Sequence, residues 1–64
     1  LRENARSPSD LASSANFLLE AASSGNIDAM TEYGYTLAYG IGTQRNAREA
    51  SMWLERAARQ LGEG

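Results

Sequence analysis

The sequence predicts an all-α fold of three helices, and three observations predict it. Apolar residues recur at helical spacing in three successive segments. Each segment opens on a residue suited to capping a helix, and each closes on glycine.

The first segment is introduced by Ser7-Pro8-Ser9-Asp10. Ser7 suits the N-cap, Pro8 the first helical position, and Asp10 completes the capping-box spacing. Leu11, Ala15, Leu18 and Ala22 then form one stripe of a 3.6-residue helix, which Gly25 ends. The second helix spans Ile27 to Tyr39, with Asn26 as N-cap, Gly40 as terminator, and Met30, Tyr33, Gly34 and Leu37 facing inward. The tyrosines and threonines of 33–39 taken alone also suit a strand, but the flanking caps select the helix. Gly34 costs about 1 kcal/mol there relative to Ala, so it implies close approach of a second helix. After the loop Gly40-Ile41-Gly42-Thr43-Gln44-Arg45, Asn46 and Glu49 form another capping-box pair. The third helix is placed at Ala47–Leu61, with Ala47, Ala50, Trp53, Leu54, Ala57 and Leu61 on one face and Gly62 as its stop.

Composition narrows the function. Hydrophobic residues at 42% and charged residues at 22% match a globular chain rather than a disordered one. Cys and His are absent, which removes disulfides, Cys/His zinc sites, thiol nucleophiles and histidine-based triads. All six basic residues are Arg. Residues 1–32 carry two Arg against five acids, a net of −3, and residues 33–64 carry four against three, a net of +1. That polarity is far from the basic footprint of a nucleic-acid binder, so no nucleic-acid partner is expected. The bulkiest apolar run, Phe17-Leu18-Leu19, is too short to span a bilayer, and no signal peptide is visible. Absent Lys and an Ala/Arg/Gly bias suit a high-GC bacterial gene, and cytoplasm and periplasm stay equally open. With Leu1 first and Gly64 last, the chain reads as an excerpt or a processed product. At 64 residues such a chain buries only about 60% of its unfolded surface, so self-association or neighbouring sequence is expected to support it.

A shift of 36 residues places Phe17-Leu18 on Trp53-Leu54, Ala21-Ala22 on Ala57-Ala58, and Asp10 on Asn46. That period lies where helical-pair solenoids occur, so the first and third helices read as the same element of successive repeats, with Phe17 and Trp53 as matching core positions.

The pattern Ala21-Ala22-x-x-Gly25-Asn26-x-x-Ala29, then Gly34-x-x-Leu37-x-x-Gly40-x-Gly42, then Ala50-x-x-Trp53-Leu54-x-x-Ala57-Ala58 resembles the Sel-one-like repeat family. That family is a branch of the tetratricopeptide-like helical solenoids. Residues 21–62 carry the resemblance. Leu37 stands where the family usually has an aromatic, and Thr43 where it has Val. The resemblance implies an α-solenoid fragment: a tail at 1–6, the second helix of a preceding repeat at 7–25, a complete helical pair at 26–62, and a tail at 63–64. It further implies protein–protein recognition or scaffolding rather than catalysis, without supplying a partner.

Asp28, Glu32, Tyr35 and Tyr39 follow a 4-3-4 spacing and line the face of the second helix opposite its apolar residues. Tyrosine offers large contact area at low entropic cost, so this stripe is the candidate partner-binding surface. A solvated face, or packing under a neighbouring repeat, are the alternatives. Arg48, Met52, Glu55 and Arg59 read as a solvated face of the third helix, with Glu55–Arg59 a favourable i,i+4 pair worth about 0.3–0.5 kcal/mol.

Catalysis is not expected. Asp28 and Glu32 lie one turn apart but lack a cleft to shift a pKa, and Ser13 and Ser14 lack a base to activate them. Arg45 and Arg48 read as loop and surface charges rather than a phosphate site. Gly40-Ile41-Gly42 lacks the rest of a phosphate-binding loop. No cofactor or metal is called for. The expected function is a non-catalytic interaction or scaffold module that binds a protein partner or self-associates. An end cap of a longer repeat array, or a regulatory or targeting appendage of a larger bacterial enzyme, are the other readings.

Overall fold

A computed structural model describes residues 8–63 and contains three helices. They are α1 (Pro8–Ser23), α2 (Ile27–Tyr39) and α3 (Ala47–Glu63), with no strand among the described residues. The tail assigned to residues 1–6, the Ser7 cap and Gly64 lie outside the described residues.

Both turns between helices use an asparagine in the same way. The Asn26 side chain accepts a hydrogen bond from the Ala29 N–H at 3.0 Å, and its own N–H donates to the Ala21 carbonyl at 3.2 Å. Asn46 repeats the device: its side chain accepts from the Glu49 N–H at 3.0 Å, and its N–H donates to the Leu37 carbonyl at 2.8 Å. In each case one residue satisfies a free donor of the new helix and ties its own N–H to a carbonyl in the last turn of the old one. The sequence predicted the Asn46–Glu49 pair as a reciprocal capping box. Only half of it forms, because the Asn46 N–H goes to Leu37 and the Glu49 carboxylate turns to Trp53 instead.

α2 ends as predicted on Gly40, whose left-handed backbone lets its N–H donate to the Thr36 carbonyl at 2.8 Å. Two residues on, Gly42 is also left-handed, with φ of 77°. A Cβ at Gly42 would fall into the Leu11 carbonyl and the Ala12 nitrogen, so the α2–α3 loop lies directly on the backbone of α1. Glycine is required there twice over, by φ and by space.

The core is built on α2. Met30, Tyr33 and Leu37 are buried among Ala22, Ala29, Ala50, Trp53 and Ala57. Each large side chain so buried contributes about 1.5–3 kcal/mol. α2 packs against α1 on one side and α3 on the other, while no Cα of α1 comes within 8 Å of α3. The three helices therefore form an open row with α2 in the middle, not a closed bundle.

Three expected core positions are not core. Phe17 is 69% exposed, although the shift of 36 residues pairs it with buried Trp53. Trp53 has α2 packed over it, whereas α1 meets α2 through the stripe of Leu11, Ala15, Leu18 and Ala22, and Phe17 lies beside that stripe at an open edge. Leu61 is 68% exposed, and Ala47 is exposed as well. α3 has 17 residues against 13 in α2 and runs through Gly62 to Glu63 rather than stopping at Leu61. Its last turn therefore projects past the start of α2, where nothing covers Leu61 among the described residues.

Candidate functional site

α2 divides cleanly into two faces. Ala29, Met30, Tyr33, Gly34, Thr36 and Leu37 are buried, whereas Asp28, Glu32, Tyr35 and Tyr39 are all exposed. The predicted stripe is thus a continuous surface of the folded chain. Tyr35 is 51% and Tyr39 71% exposed, so neither ring is spent on packing within the described residues. Asn26 and Gly40 fix the two ends of this helix, and α1 and α3 hold its flanks, so the four side chains project from a clamped scaffold. Chemically the stripe offers two phenol hydroxyls, two apolar ring faces and two carboxylates. That set suits recognition of a polar, cationic or mixed surface.

Glu32 also borders a second feature. A groove of about 560 Å³ runs between α1 and α2, lined among others by Leu11, Phe17, Leu18, Glu32, Thr36 and Ile41. Its walls are mainly apolar, with Ser13 and Ser14 at the α1 edge. Ile41 reaches it because the α2–α3 loop lies across α1 at Gly42. Thr36 and Ile41 were not among the residues singled out from the sequence. Thr36 had a signal, since it stands four residues after Glu32 on the same row of α2. Ile41 had none, because its position depends on the path of the loop.

Trp53 is held by three neighbours. The Tyr33 ring meets it edge-on with centroids 5.7 Å apart and planes at 80°. The Arg56 guanidinium lies 5.1 Å from the ring centroid, and the indole N–H donates to the Glu49 carboxylate at a long 3.4 Å. Burial first, and the Glu49 carboxylate second, push the Tyr33 phenol above its ordinary value. These contacts make a structural clasp between α2 and α3, as the core reading of Trp53 requires. Arg56, almost one turn beyond Trp53, is a clasp residue that the sequence reading left among the unassigned arginines.

The remaining candidates do not converge. Among the described residues no three His, Cys, Asp or Glu side chains group as a metal site, and no helix is long and apolar enough to cross a membrane. No model of a known protein family matches the chain, and no characterised protein or solved structure matches it.

Proposed function

We propose that this chain is a non-catalytic protein–protein interaction or scaffold module, built as a fragment of an α-solenoid of the Sel-one-like repeat type and of bacterial origin. The observation that carries the reading is the face of α2 bearing Asp28, Glu32, Tyr35 and Tyr39. Two tyrosines stand half or more exposed on a helix clamped from both sides, in a chain that has neither Cys nor His. Rigid aromatic side chains flanked by charge are typical of the few residues that dominate binding energy at interfaces. The open row of helices, in which only neighbours touch, is the packing a repeat array extends, and it supports the solenoid assignment.

The test is the double variant Tyr35→Ala/Tyr39→Ala. Helical circular dichroism and melting are expected to stay within about 0.5 kcal/mol of wild type. A protein partner captured by the immobilised wild-type chain is expected to be lost. Unchanged capture, or a large loss of stability, defeats this surface as the binding site. The end-cap reading draws on α3, whose Arg48, Met52, Glu55 and Arg59 are all exposed, as a terminal helix requires.

A further inference from the structure

Charge is segregated along this chain more sharply than its two halves suggest. From residue 8 to residue 44 every charged side chain is acidic: Asp10, Glu20, Asp28 and Glu32. Every basic residue after that point belongs to α3 or to the loop leading into it: Arg45, Arg48, Arg56 and Arg59. The α1–α2 groove lies wholly in the acidic part, with Glu32 on its wall and Phe17 and Ile41 exposed within it.

The groove also holds an unmet polar group. Thr36 is 9% exposed and lines the groove, and its hydroxyl has no hydrogen-bond partner among the described residues. Buried hydroxyls are normally paired, so this one is suited to meet a polar group brought by whatever fills the groove. The occupant that fits is apolar at its centre and cationic at its edge.

The chain carries such a surface itself. Arg48, Met52, Glu55 and Arg59 are exposed on the side of α3 turned away from its α2 contact, two arginines against one carboxylate, with Met52 at 51%. Methionine is flexible and polarizable, so it adapts to an irregular apolar groove. One molecule cannot use both surfaces on itself. α2 stands between α1 and α3, and Arg48 and Arg59 face outward.

We propose that the chain self-associates head to tail, the Arg48–Met52–Arg59 face of one copy docking in the α1–α2 groove of the next, with Met52 against Phe17 and Arg48 paired with Glu32. The two surfaces differ, so the contact is heterologous, and it propagates as a row of copies rather than closing as a two-fold dimer. The inference rests on reading this chain as an interaction module, and it names a second copy as the partner.

The experiment is sedimentation velocity on the full chain across a wide concentration range, at about 0.02 M and about 0.5 M salt. Wild type is expected to grow in sedimentation coefficient with concentration at low salt and to return to monomer at high salt. Glu32→Arg and Arg48→Glu are each expected to weaken association about tenfold or more, because each sets like charges opposite one another. An equimolar mixture of these two variants is expected to restore it. The variants then alternate along the row, so that one contact keeps the native charge pair and the next carries the same pair with its signs exchanged. A variant that loses its helical circular dichroism is replaced by Glu32→Gln or Arg48→Gln. A wild type that stays monomeric at every concentration overturns the proposal. So does association that survives high salt and both reversals, and so does a mixture that stays monomeric. Glu32 belongs to both surfaces, so the stripe's capture of another protein is read separately in Tyr35→Ala/Tyr39→Ala, which leaves every groove residue in place.

Discussion

The two interfaces of α2 are built differently. Towards α3 it presents Tyr33 to Trp53 in a T-shaped contact, and Gly34 to Leu54 and the Ala50 carbonyl, with Glu49 and Arg56 closing round the indole. Towards α1 the fully buried side chains are alanines, Ala15 and Ala22, and the large residues Leu11, Leu18 and Phe17 line an open groove. One interface is a filled joint and the other a partly filled one. The filled joint fixes the position of α2, and the partly filled one leaves apolar surface to spare. The α3 side therefore holds α2 by close packing, and the α1 side leaves an apolar groove open to solvent.

Breaking the filled joint is expected to have the largest effect. Trp53→Ala removes the indole that Tyr33, Glu49 and Arg56 surround, and is expected to cost about 3–5 kcal/mol. For a chain of this size that suffices to unfold it, which circular dichroism at room temperature reads directly. A Trp53→Ala chain that melts like wild type would place the stabilising contacts at the α1 interface instead. Gly34→Ala comes next. The new Cβ would stand 2.6 Å from Leu54 Cγ, so the helices must separate or Leu54 must leave its position. Overpacking of this kind costs about 1–3 kcal/mol, against roughly 1 kcal/mol regained from helix propensity. A net loss of up to about 2 kcal/mol in denaturant melts is expected, and a gain would show that the joint has slack.

Much of this joint was legible from residues alone. Gly34 in mid-helix has one economical explanation, close approach, and Leu54 supplies it. Asn26 and Gly40 mark the bounds of α2 because capping chemistry is local and does not depend on what the helix packs against. Phe17 was not legible. Its match to Trp53 reports equivalent sequence, but burial also needs a helix packed over the ring, and Phe17 lies at the open edge of the α1–α2 groove. Leu61 was placed in the core by periodicity, which fixes a face and says nothing of where the neighbouring helix begins. The direction of the Glu49 side chain was a choice between two donors, one a turn before it and one a turn after, decided by the path of the loop at Asn46. The exposure of Asp28, Glu32, Tyr35 and Tyr39 did follow from spacing, because α2 has apolar neighbours on the rest of its circumference.

A third test sharpens the comparison through pH. The Tyr33 phenol is held above its ordinary value of 10.0 by burial and by Glu49. The folded state therefore keeps this proton more tightly than the unfolded state does. The associated stability is fully present below about pH 10 and is lost as the pH rises through the folded value. Tyr33→Phe is expected to preserve the edge-on contact with Trp53 and to remove this alkaline component. The drop in melting temperature between neutral and strongly alkaline pH is expected to be smaller in the variant than in wild type. Equal drops would mean that the phenol gains enough solvent to ionise without opening the joint.

The smallest effect on stability is expected at the residue that looks most like a core side chain in the sequence. Phe17→Ala removes a whole aromatic ring, which from a packed interior would cost about 3–5 kcal/mol. At 69% exposure the ring has few neighbours to lose, so melting of dilute monomer is expected to change by no more than about 0.5 kcal/mol. Alanine also favours the helix slightly over phenylalanine, which offsets part of any loss. A large loss would mean that the groove is closed in solution and that both sides of α2 are filled joints. A neutral melt together with weaker self-association in sedimentation would separate the two duties of α2, with the α3 side holding the fold and the α1 side holding a neighbour.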